Sequence, residues 1–384
     1  MHIAMLLSNA FRPDPRVYKE AQSLSEAGFN ITIICWDRRR EFPHEEDLSP
    51  NIKIIRVQNV SSSYGIGARQ ILALPLFWHA VSHILNTLKP SLIHCHDFDT
   101  LPAGLIWGKW HHKPVVYDAH EYYADLVRPR LRGVFGKALY IMIRLAEKLG
   151  ARTADAIVTV DEKLAKYYSS LNQRVLILGH YPPKIMAVTN NPIFTGPDLT
   201  LLYAGRISRD RGSTLYMELL RKLRELTIPA RLVLAGTFTP SNEEGVFWQN
   251  AHGLENYIEF RAWVPFQQMT ALYRSADIGL SILMPEPRYV AAVPIKLFEY
   301  MAGGLPVLAS DFSSISSIIS TARCGVLVDP LSQPAEIAAI IEKWWNDPAI
   351  PRLFGENGRQ AVLQKYNWEN EVSQLTELEH QFMT

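Results

Sequence analysis

Cysteine is scarce in this sequence. The chain has three cysteines in 384 residues, Cys35, Cys95 and Cys324, and they lie far apart. This spacing excludes a disulfide framework and a cysteine zinc site, and it favours a reducing compartment. Neither positive nor negative residues are in large excess, since the net charge is only +1 at pH 7. No overall field attracts nucleic acid, so we expect no nucleic-acid partner.

Long apolar runs are missing as well. No uninterrupted run reaches the roughly 18 residues that a membrane span needs. The first residues, MHIAMLLSNAF, have no basic lead and too short an apolar run for a signal peptide. We therefore expect a cytoplasmic protein. No G-x-G-x-x-G motif follows a predicted strand, so the sequence gives no support for a dinucleotide cofactor.

Strand-like and helix-like segments alternate along most of the chain. Apolar, β-branched runs such as Asn30–Trp36 and Leu199–Ala204 predict buried strands, and amphipathic segments between such runs predict helices. This alternation predicts parallel sheets with helices on both faces. A proline-rich stretch without apolar periodicity breaks the pattern at 181–198 and predicts a linker. The prediction is therefore an α/β protein with domains at 1–180 and 199–366.

Two charged residues stand out in the stretch Pro294–Asp311, PIKLFEYMAGGLPVLASD. Lys296 and Glu299 fall in the first turns of a predicted helix that otherwise packs inward. The start of a helix offers unpaired N–H groups and a positive dipole end, which suit a phosphate. Glu299 could accept hydrogen bonds from the two hydroxyls of a ribose. A surface ion pair between Lys296 and Glu299 is the alternative.

A second basic segment follows the predicted strand Leu199–Ala204. It reads GRISRDRG, so that Gly205 and a second glycine frame a loop with three arginines. Arg206 and Arg211 could hold a diphosphate by charge-assisted hydrogen bonds. A basic turn that caps a helix is the alternative.

These two segments resemble the donor-site motifs of retaining nucleotide-sugar glycosyltransferases with the GT-B fold, glycosyltransferase family 4. The resemblance covers nearly the whole chain and implies GT-B architecture, with two doubly wound Rossmann-like domains facing an interdomain cleft. It implies an N-terminal acceptor-binding domain, completed by a closing helix at about 367–384, and a C-terminal donor-binding domain. The segments that resemble the first domain and the closing helix are NAFRPDPRVYKEAQSLSEAG, SLIHCHDFDTLPAG, VVYDAHEYY, TADAIVTVDEKLA and YNWENEV.

The resemblance also implies roles for single residues. Arg206 and Arg211 match donor-diphosphate ligands, although the family usually has lysine at the second position, and Glu299 matches the ribose ligand. His120 matches a histidine beside the transferred sugar. Donor-binding candidates are therefore Gly205, Arg206, Arg211, Lys296 and Glu299, catalytic candidates are His120, Arg206 and Arg211, and acceptor-side candidates are Asn9, Arg12, Arg16 and His96.

Two positions depart from the family pattern. Ala291 stands where the family has a glutamate near the sugar ring, and NAFRPDPR lacks the usual glycine pair of the first loop. The identity of the sugar is therefore left open. A nucleotide-sugar epimerase of the same fold and a non-catalytic nucleotide-sugar-binding subunit remain alternatives.

The resemblance implies transfer of a hexose-type sugar with retention, by same-face attack, to a glycan, a lipid-linked or a small-molecule acceptor. Surface polysaccharide or glycoconjugate biosynthesis is the expected setting. Fixed cations could stabilise the leaving diphosphate in place of a metal ion. We expect no cofactor and no metal, either at HCHDFD or at the pair His79 and His83, which lacks the glutamate of a catalytic zinc helix.

A basic amphipathic stretch occupies Leu126–Arg152. Such a segment can lie on an anionic bilayer, and similar enzymes often use this region to reach lipid-linked acceptors. We therefore expect peripheral contact with the inner face of a membrane, with a solvated helix face as the alternative. The basic residues are Arg128, Arg130, Arg132, Lys137, Arg144, Lys148 and Arg152.

Overall fold

A computed structural model describes most of the chain. It covers the backbone of residues 1–12, 14–60, 67–128, 131, 133–187, 193–262, 264–290 and 292–382, without the side chains of 67–72 and 266–267. Ala291, Arg130, Arg132 and part of the predicted linker lie outside the described residues. The chain forms two compact units, Met1–His180 with Glu371–Thr384, and Tyr181–Asn370. The predicted linker segment is thus part of the second unit.

The first unit is built on an eight-stranded sheet with the order β3-β4-β2-β1-β5-β6-β7-β8. All neighbours pair in parallel except β3, which is antiparallel to β4 at the edge. The strands are β1 (His2–Leu7), β2 (Asn30–Trp36), β3 (Glu45–Ser49), β4 (Ile52–Val57), β5 (Leu92–His96), β6 (Val115–Ala119), β7 (Ala156–Thr159) and β8 (Val175–Ile177).

Helices pack against this sheet. In α1, the Asp14 side chain caps the N-terminus by accepting from the Val17 N–H. The basic amphipathic stretch Leu126–Arg152 falls on two helices rather than one, and Gly133, with φ +70°, begins the second. The helices are α1 (Pro15–Glu26), α2 (Gly67–Leu88), α3 (Leu101–His111), α4 (Tyr123–Val127), α5 (Gly133–Thr153) and α6 (Glu162–Tyr168).

The second unit has a six-stranded parallel sheet with the order β11-β10-β9-β12-β13-β14. Numbered within the unit, this is the 3-2-1-4-5-6 order of a doubly wound fold, so the strand order reverses between β9 and β12. Ligands bind such sheets at the carboxyl ends of the strands beside this reversal. The strands are β9 (Leu199–Ala204), β10 (Ala230–Ala235), β11 (Ile258–Arg261), β12 (Ile278–Ser281), β13 (Val307–Ser310) and β14 (Gly325–Val328).

Helix α7 of the second unit shows how a helix buries one apolar stripe. In α7, Tyr216, Leu220 and Leu223 are fully buried and recur at helical spacing. The last helix of the chain, α15, begins in the second unit and belongs to the first from Glu371 onward. The helices are α7 (Ser213–Glu225), α8 (Glu243–Asn250), α9 (Phe266–Arg274), α10 (Pro287–Val290), α11 (Ile295–Ala302), α12 (Ser313–Ala322), α13 (Pro334–Asn346), α14 (Ala349–Gln364) and α15 (Trp368–Gln381).

The predicted pair of doubly wound α/β domains is confirmed. The arginine run at 38–40 is not wholly solvated, because Arg38 is buried and its guanidinium lies 4.0 Å from the Trp36 ring centroid. All three cysteines are buried free thiols. Among the described helices, none combines the length and the apolar character of a membrane span.

Candidate active site

The candidate donor site lies where β9 ends in the second unit. Gly205 follows β9 with φ +124°, a backbone conformation that favours glycine. A Cβ atom at this position would stand 3.2 Å from the Nζ of Lys296. The glycine therefore lets the loop after β9 approach the lysine at the start of α11.

Lys296 is buried, with 7% of its surface exposed. Its Nζ lies 3.5 Å from the Tyr203 ring centroid and has no hydrogen-bond partner among the described residues. Burial, together with the charge of Arg211, holds the pKa of Lys296 well below its usual value, although Glu299 acts in the opposite direction. The charged form of this amine is therefore disfavoured, and a bound anion beside it would stabilise that form.

Glu299 lies one turn after Lys296 in α11. Its Oε2 accepts a hydrogen bond of 2.8 Å from the hydroxyl of Tyr273. Both are residues of the second unit, and Glu299 is half-buried. The surface ion pair that was the alternative is not found, because Lys296 is buried.

Arg211 is held by aromatic neighbours. Its Nε donates to the hydroxyl of Tyr289 at 3.1 Å, and that hydroxyl donates to Asp210 at 2.8 Å. Burial opposes ionisation of Asp210, but hydrogen bonds from Ser208 and Tyr289 outweigh it and lower the pKa of this carboxyl. No described carboxylate forms a direct ion pair with Arg211, so its charge is oriented without being cancelled.

Arg206 lies in the same loop with an exposed side chain. Among the described residues it has no ion-pair partner. Three cations, Arg206, Arg211 and Lys296, are thus carried by the loop after β9 and by the start of α11. Arg211 and Lys296 are close enough for the charge of Arg211 to lower the pKa of Lys296, so this pair of cations suits a compact dianion such as a diphosphate.

A separate cluster of titratable residues lies in the first unit and centres on Asp118, near the end of β6. Its Oδ2 is 2.8 Å from the Nδ1 of His96 and 3.0 Å from the Nε2 of His120. Burial opposes ionisation, but these imidazoles and His94 hold the pKa of Asp118 well below its usual value. Burial alone would lower the pKa of His120, yet Asp118 and Asp97 outweigh it and raise that pKa to about 9.

The histidines form a stacked row. His94 stacks on His96 with ring centroids 4.7 Å apart, and His120 stacks on His180 at 5.3 Å. His94 also pairs through its Nδ1 with Glu379 of α15 at 2.9 Å. Burial and the nearby histidines lower the pKa of His96 to about 4 against the effect of Asp118. The pKa values of neighbouring imidazoles in this row are therefore shifted in opposite directions.

The acceptor-side candidates have different environments. Asn9 donates from its Nδ2 to Asp14 at 2.9 Å, and the Nε of Arg16 lies 3.5 Å from the same carboxylate. Arg12 is exposed and pairs with Glu46. His96 is buried against Asp118, so it can act on a ligand only through its neighbours. The structure thus groups Asn9 and Arg16 around Asp14 and leaves Arg12 apart.

Several residues around the site were not predicted. Asp118, Tyr203 and Tyr289 lay in or near the quoted motifs without receiving a role. The sequence did contain a signal for Asp118. His94 and His96 are two residues apart on β5 and therefore share a face of the sheet, and Asp118 and His120 have the same spacing at the end of β6. Polar residues at period two in a buried strand therefore indicate a cluster.

Comparison with known protein families gives two matches. Residues 16–175 match the family described as Glycosyltransferase Family 4, and residues 190–361 match the family described as Glycosyl transferases group 1. The two matched segments follow each other along the chain.

Two curated relatives are similar. D-inositol 3-phosphate glycosyltransferase of Paenarthrobacter aurescens is 28% identical over 365 residues, which are 85% of this chain and 82% of that enzyme. Alpha-D-kanosaminyltransferase of Streptomyces kanamyceticus is 24% identical over 167 residues, 44% of this chain and 42% of that enzyme. The chain thus aligns with less than half of the latter.

Solved structures share the fold. Sucrose-phosphate synthase from Thermosynechococcus elongatus superposes with a TM-score of 0.78 at 18% identity and covers 100% of this chain and 99% of its own. Anabaena HepE in complex with UDP-glucose has a TM-score of 0.69 at 14% identity, with 99% of each chain covered. Together these matches identify the chain as a GT-B glycosyltransferase, with a Family 4 domain in the first unit and a group 1 domain in the second.

Proposed function

We propose that this glycosyltransferase is a retaining enzyme and that it binds the donor diphosphate without a metal ion. It moves a hexose-type sugar from a nucleotide-diphosphate sugar to a glycan, lipid-linked or small-molecule acceptor in surface polysaccharide or glycoconjugate biosynthesis. The observation that carries the proposal is the buried, unpartnered amine of Lys296 beside Gly205 and Arg211. An uncancelled cation of this kind is costly unless a ligand supplies the missing negative charge.

The residues of the second unit have separate tasks in this proposal. Arg206, Arg211 and Lys296 bind the diphosphate and stabilise the negative charge that grows on it as the sugar leaves. Glu299 accepts hydrogen bonds from the ribose hydroxyls. The Tyr289 and Asp210 pair fixes the guanidinium of Arg211, so that little reorganisation is needed during transfer.

The first unit supplies the acceptor side and His120. Because the Asp118 carboxylate lies 3.0 Å from the Nε2 of His120 as an ion pair, one orientation of the ring is favoured. His120 contacts the transferred sugar in this proposal, and Asn9 and Arg16 contribute to acceptor binding. The three free thiols fit a cytoplasmic location.

Donor binding is tested by thermal-shift measurements with UDP-, GDP-, ADP- and dTDP-sugars. A donor at a hundred times its dissociation constant stabilises the folded state by about 2.7 kcal/mol. We expect one nucleotide class to raise the melting temperature and the others to fail. If no nucleotide or nucleotide sugar stabilises the protein at millimolar concentration, the proposed donor site is wrong.

Transfer is tested by following nucleoside diphosphate release with and without an acceptor extract. A transferase releases the diphosphate when acceptor is added, an epimerase converts the donor without acceptor, and a binding subunit does neither. Addition of Mg²⁺ to the assay, or omission of Mg²⁺, should leave the rate unchanged. Strict dependence on added Mg²⁺ would contradict the role given to the arginines and the lysine.

Contact with an anionic membrane is part of the proposal. Helix α5 carries exposed apolar side chains, including Phe135 at 92% and Leu145 at 61% exposure. Lys137, Arg144 and Lys148 belong to the same helix. Exposed apolar residues mixed with cations are typical of a helix that lies in the headgroup region of a bilayer. A lipid-linked acceptor would be presented at such a surface.

A further inference from the structure

Four side chains in the core of the first unit bring metal-binding atoms together. Glu20 comes from α1, His94 and His96 come from β5, and Asp118 comes from β6. One donor atom from each of these residues lies within 4.8 Å of the donor atoms of the other three. All four residues are buried, with at most 3% of their surface exposed.

Three members of this group, Glu20, His94 and His96 (through its Nε2), have atoms that lack a hydrogen-bond partner among the described residues. Both carboxylate oxygens of Glu20 lack a hydrogen-bond partner, although the residue is 0% exposed. The Nε2 of His94 is also without a hydrogen bond and lies 3.9 Å from Asp118 Oδ2. Buried polar atoms normally have partners, so these atoms indicate that something else occupies the space between them.

The surroundings of the four residues match those of a metal site. A histidine that binds a metal through one ring nitrogen usually pairs its other nitrogen with a carboxylate. His94 does so, because its Nδ1 lies 2.9 Å from Glu379. A carboxylate ligand is in turn usually hydrogen-bonded, and His120 lies 3.0 Å from Asp118.

We propose that Glu20, His94, His96 and Asp118 bind one divalent transition-metal ion of the zinc type, in contrast to the expectation from the sequence that no metal binds at HCHDFD. Two imidazoles and two carboxylates suit Zn²⁺, and the two negative charges neutralise the ion inside the core. In a tetrahedral site with bonds of about 2.0–2.2 Å, neighbouring ligand atoms are roughly 3.3–3.5 Å apart. Small side-chain rotations therefore bring the four donor atoms to bonding distance.

The ion would act as a cross-link within the first unit. It joins α1 to the adjacent strands β5 and β6 and fixes Asp118, which holds His120. Its ligands belong to the first unit, whereas the residues proposed to bind the diphosphate belong to the second. The proposal therefore does not rest on the proposed function, and its tests read the metal directly.

The first experiment measures metal in the untagged full-length protein. We expect about one equivalent of zinc per chain by inductively coupled plasma mass spectrometry after exhaustive dialysis. Protein unfolded in guanidinium with a chelator and refolded with Zn²⁺ should melt at a higher temperature than protein refolded without it. Refolding with Co²⁺ should give the visible absorption bands of a four-coordinate site with nitrogen and oxygen ligands.

Variants then locate the ion. Glu20→Gln and His94→Gln should lose the bound metal, and Glu379→Gln should weaken metal binding by about 10–100-fold. The control is the double variant His79→Ala/His83→Ala, which removes the exposed pair whose Nε2 atoms are 3.2 Å apart on α2. Its metal content should be unchanged, and if it instead loses the metal, the ion is on the surface and the proposal is wrong.

Three further results would overturn the proposal. One is metal content below about a tenth of an equivalent, combined with no thermal shift on refolding with Zn²⁺, Mn²⁺ or Fe²⁺. Another is full metal content in folded Glu20→Gln and His94→Gln. A third, which does not depend on the folding of any variant, is a Co²⁺ spectrum of the wild-type protein identical to that of aqueous Co²⁺. In each case buried water would account for the unpartnered atoms.

Discussion

The Nζ of Lys296 lies 3.5 Å above the ring of Tyr203, and no described residue hydrogen-bonds to it. An aromatic ring stabilises an ammonium group less than water or a carboxylate does. The lysine is therefore held in an unfavourable place in the ligand-free enzyme. This relationship links stability to donor binding and gives the first three predictions.

Replacing Lys296 by methionine should stabilise the ligand-free enzyme and abolish donor binding. The substitution keeps most of the apolar contacts and removes a buried amine, so the free energy of unfolding should rise by about 1–3 kcal/mol. Differential scanning calorimetry and nucleotide titration measure the two effects. The matched control is Lys365→Met, which removes an exposed lysine 5.0 Å from the Tyr366 ring and should change neither. A destabilised Lys296→Met would show that the amine is well accommodated.

Donor binding should take up a proton. Burial and Arg211 lower the pKa of Lys296 in the free enzyme, and a bound diphosphate raises it again. Affinity for the nucleoside diphosphate should therefore fall as pH rises above the free-enzyme pKa of this lysine. Calorimetric titration in two buffers of different ionisation enthalpy measures the uptake. Lys296→Met should lose it.

Lys296 should also make the stability of the free enzyme increase with pH. The folded-state pKa of Lys296 lies below its unfolded value, so the unfolded chain binds more protons between the two values. The contribution of this residue to the free energy of unfolding should therefore increase with pH across that window. Denaturant titrations of wild type and Lys296→Met at several pH values isolate the effect. A decrease with pH in their difference would contradict it.

Replacing Arg206 by alanine should damage donor use without affecting the fold. The side chain is exposed and has no ion pair among the described residues, so its loss removes only contacts to ligand. A charge-assisted hydrogen bond is worth about 1.5–3 kcal/mol, which corresponds to roughly 10–100-fold in kcat/KM. The control is Arg209→Ala in the same loop, which should keep near-normal kinetics. Equal effects of the two substitutions would show that only the general charge of the loop matters.

Replacing His120 by alanine should lower kcat and leave nucleotide affinity nearly unchanged. His120 is a residue of the first unit, whereas the cations proposed to bind the diphosphate belong to the second. Steady-state kinetics and a separate titration with the nucleoside diphosphate distinguish the two quantities. A large loss of diphosphate affinity with unchanged kcat would assign His120 to donor binding.

Helix α5 should bind anionic vesicles. The double variant Phe135→Ser/Leu145→Ser removes two exposed apolar side chains, and each is expected to contribute about 1.5–3 kcal/mol when buried in lipid. Flotation with phosphatidylglycerol vesicles should show binding for the wild type and a loss of at least tenfold for this variant. Ile185→Ser, at an exposed apolar residue of the second unit, is the control and should bind normally. Absence of wild-type binding at low salt would remove the membrane from the proposal.

The sequence predicted most of the fold, because buried parallel strands carry a strong signal. The bounds of β2 and β9 agree residue by residue with the apolar runs that predicted them. The edge strand β3 (EEDLS) was missed, because its residues are mostly charged and its pairing depends on β4. The break between α4 and α5 was missed because helical periodicity continues across it.

The candidate site was predicted only in part. Gly205, Arg206, Arg211, Lys296 and Glu299 were selected as one donor-binding group, and the structure places Gly205 beside the Nζ of Lys296. Their supports, Tyr203 and Tyr289, were not selected, because aromatic residues in and beside a sheet look like ordinary core. Glu379 could not be found, since its pairing with His94 spans 285 residues of sequence.

The same pairing has a consequence for how the protein must be made. The first unit consists of Met1–His180 and Glu371–Thr384, so its core receives Glu379 only after the whole second unit has been translated. A recombinant fragment that stops at His180 would leave His94 without its carboxylate. Dissection of this enzyme into halves therefore requires grafting the last helix onto the N-terminal piece.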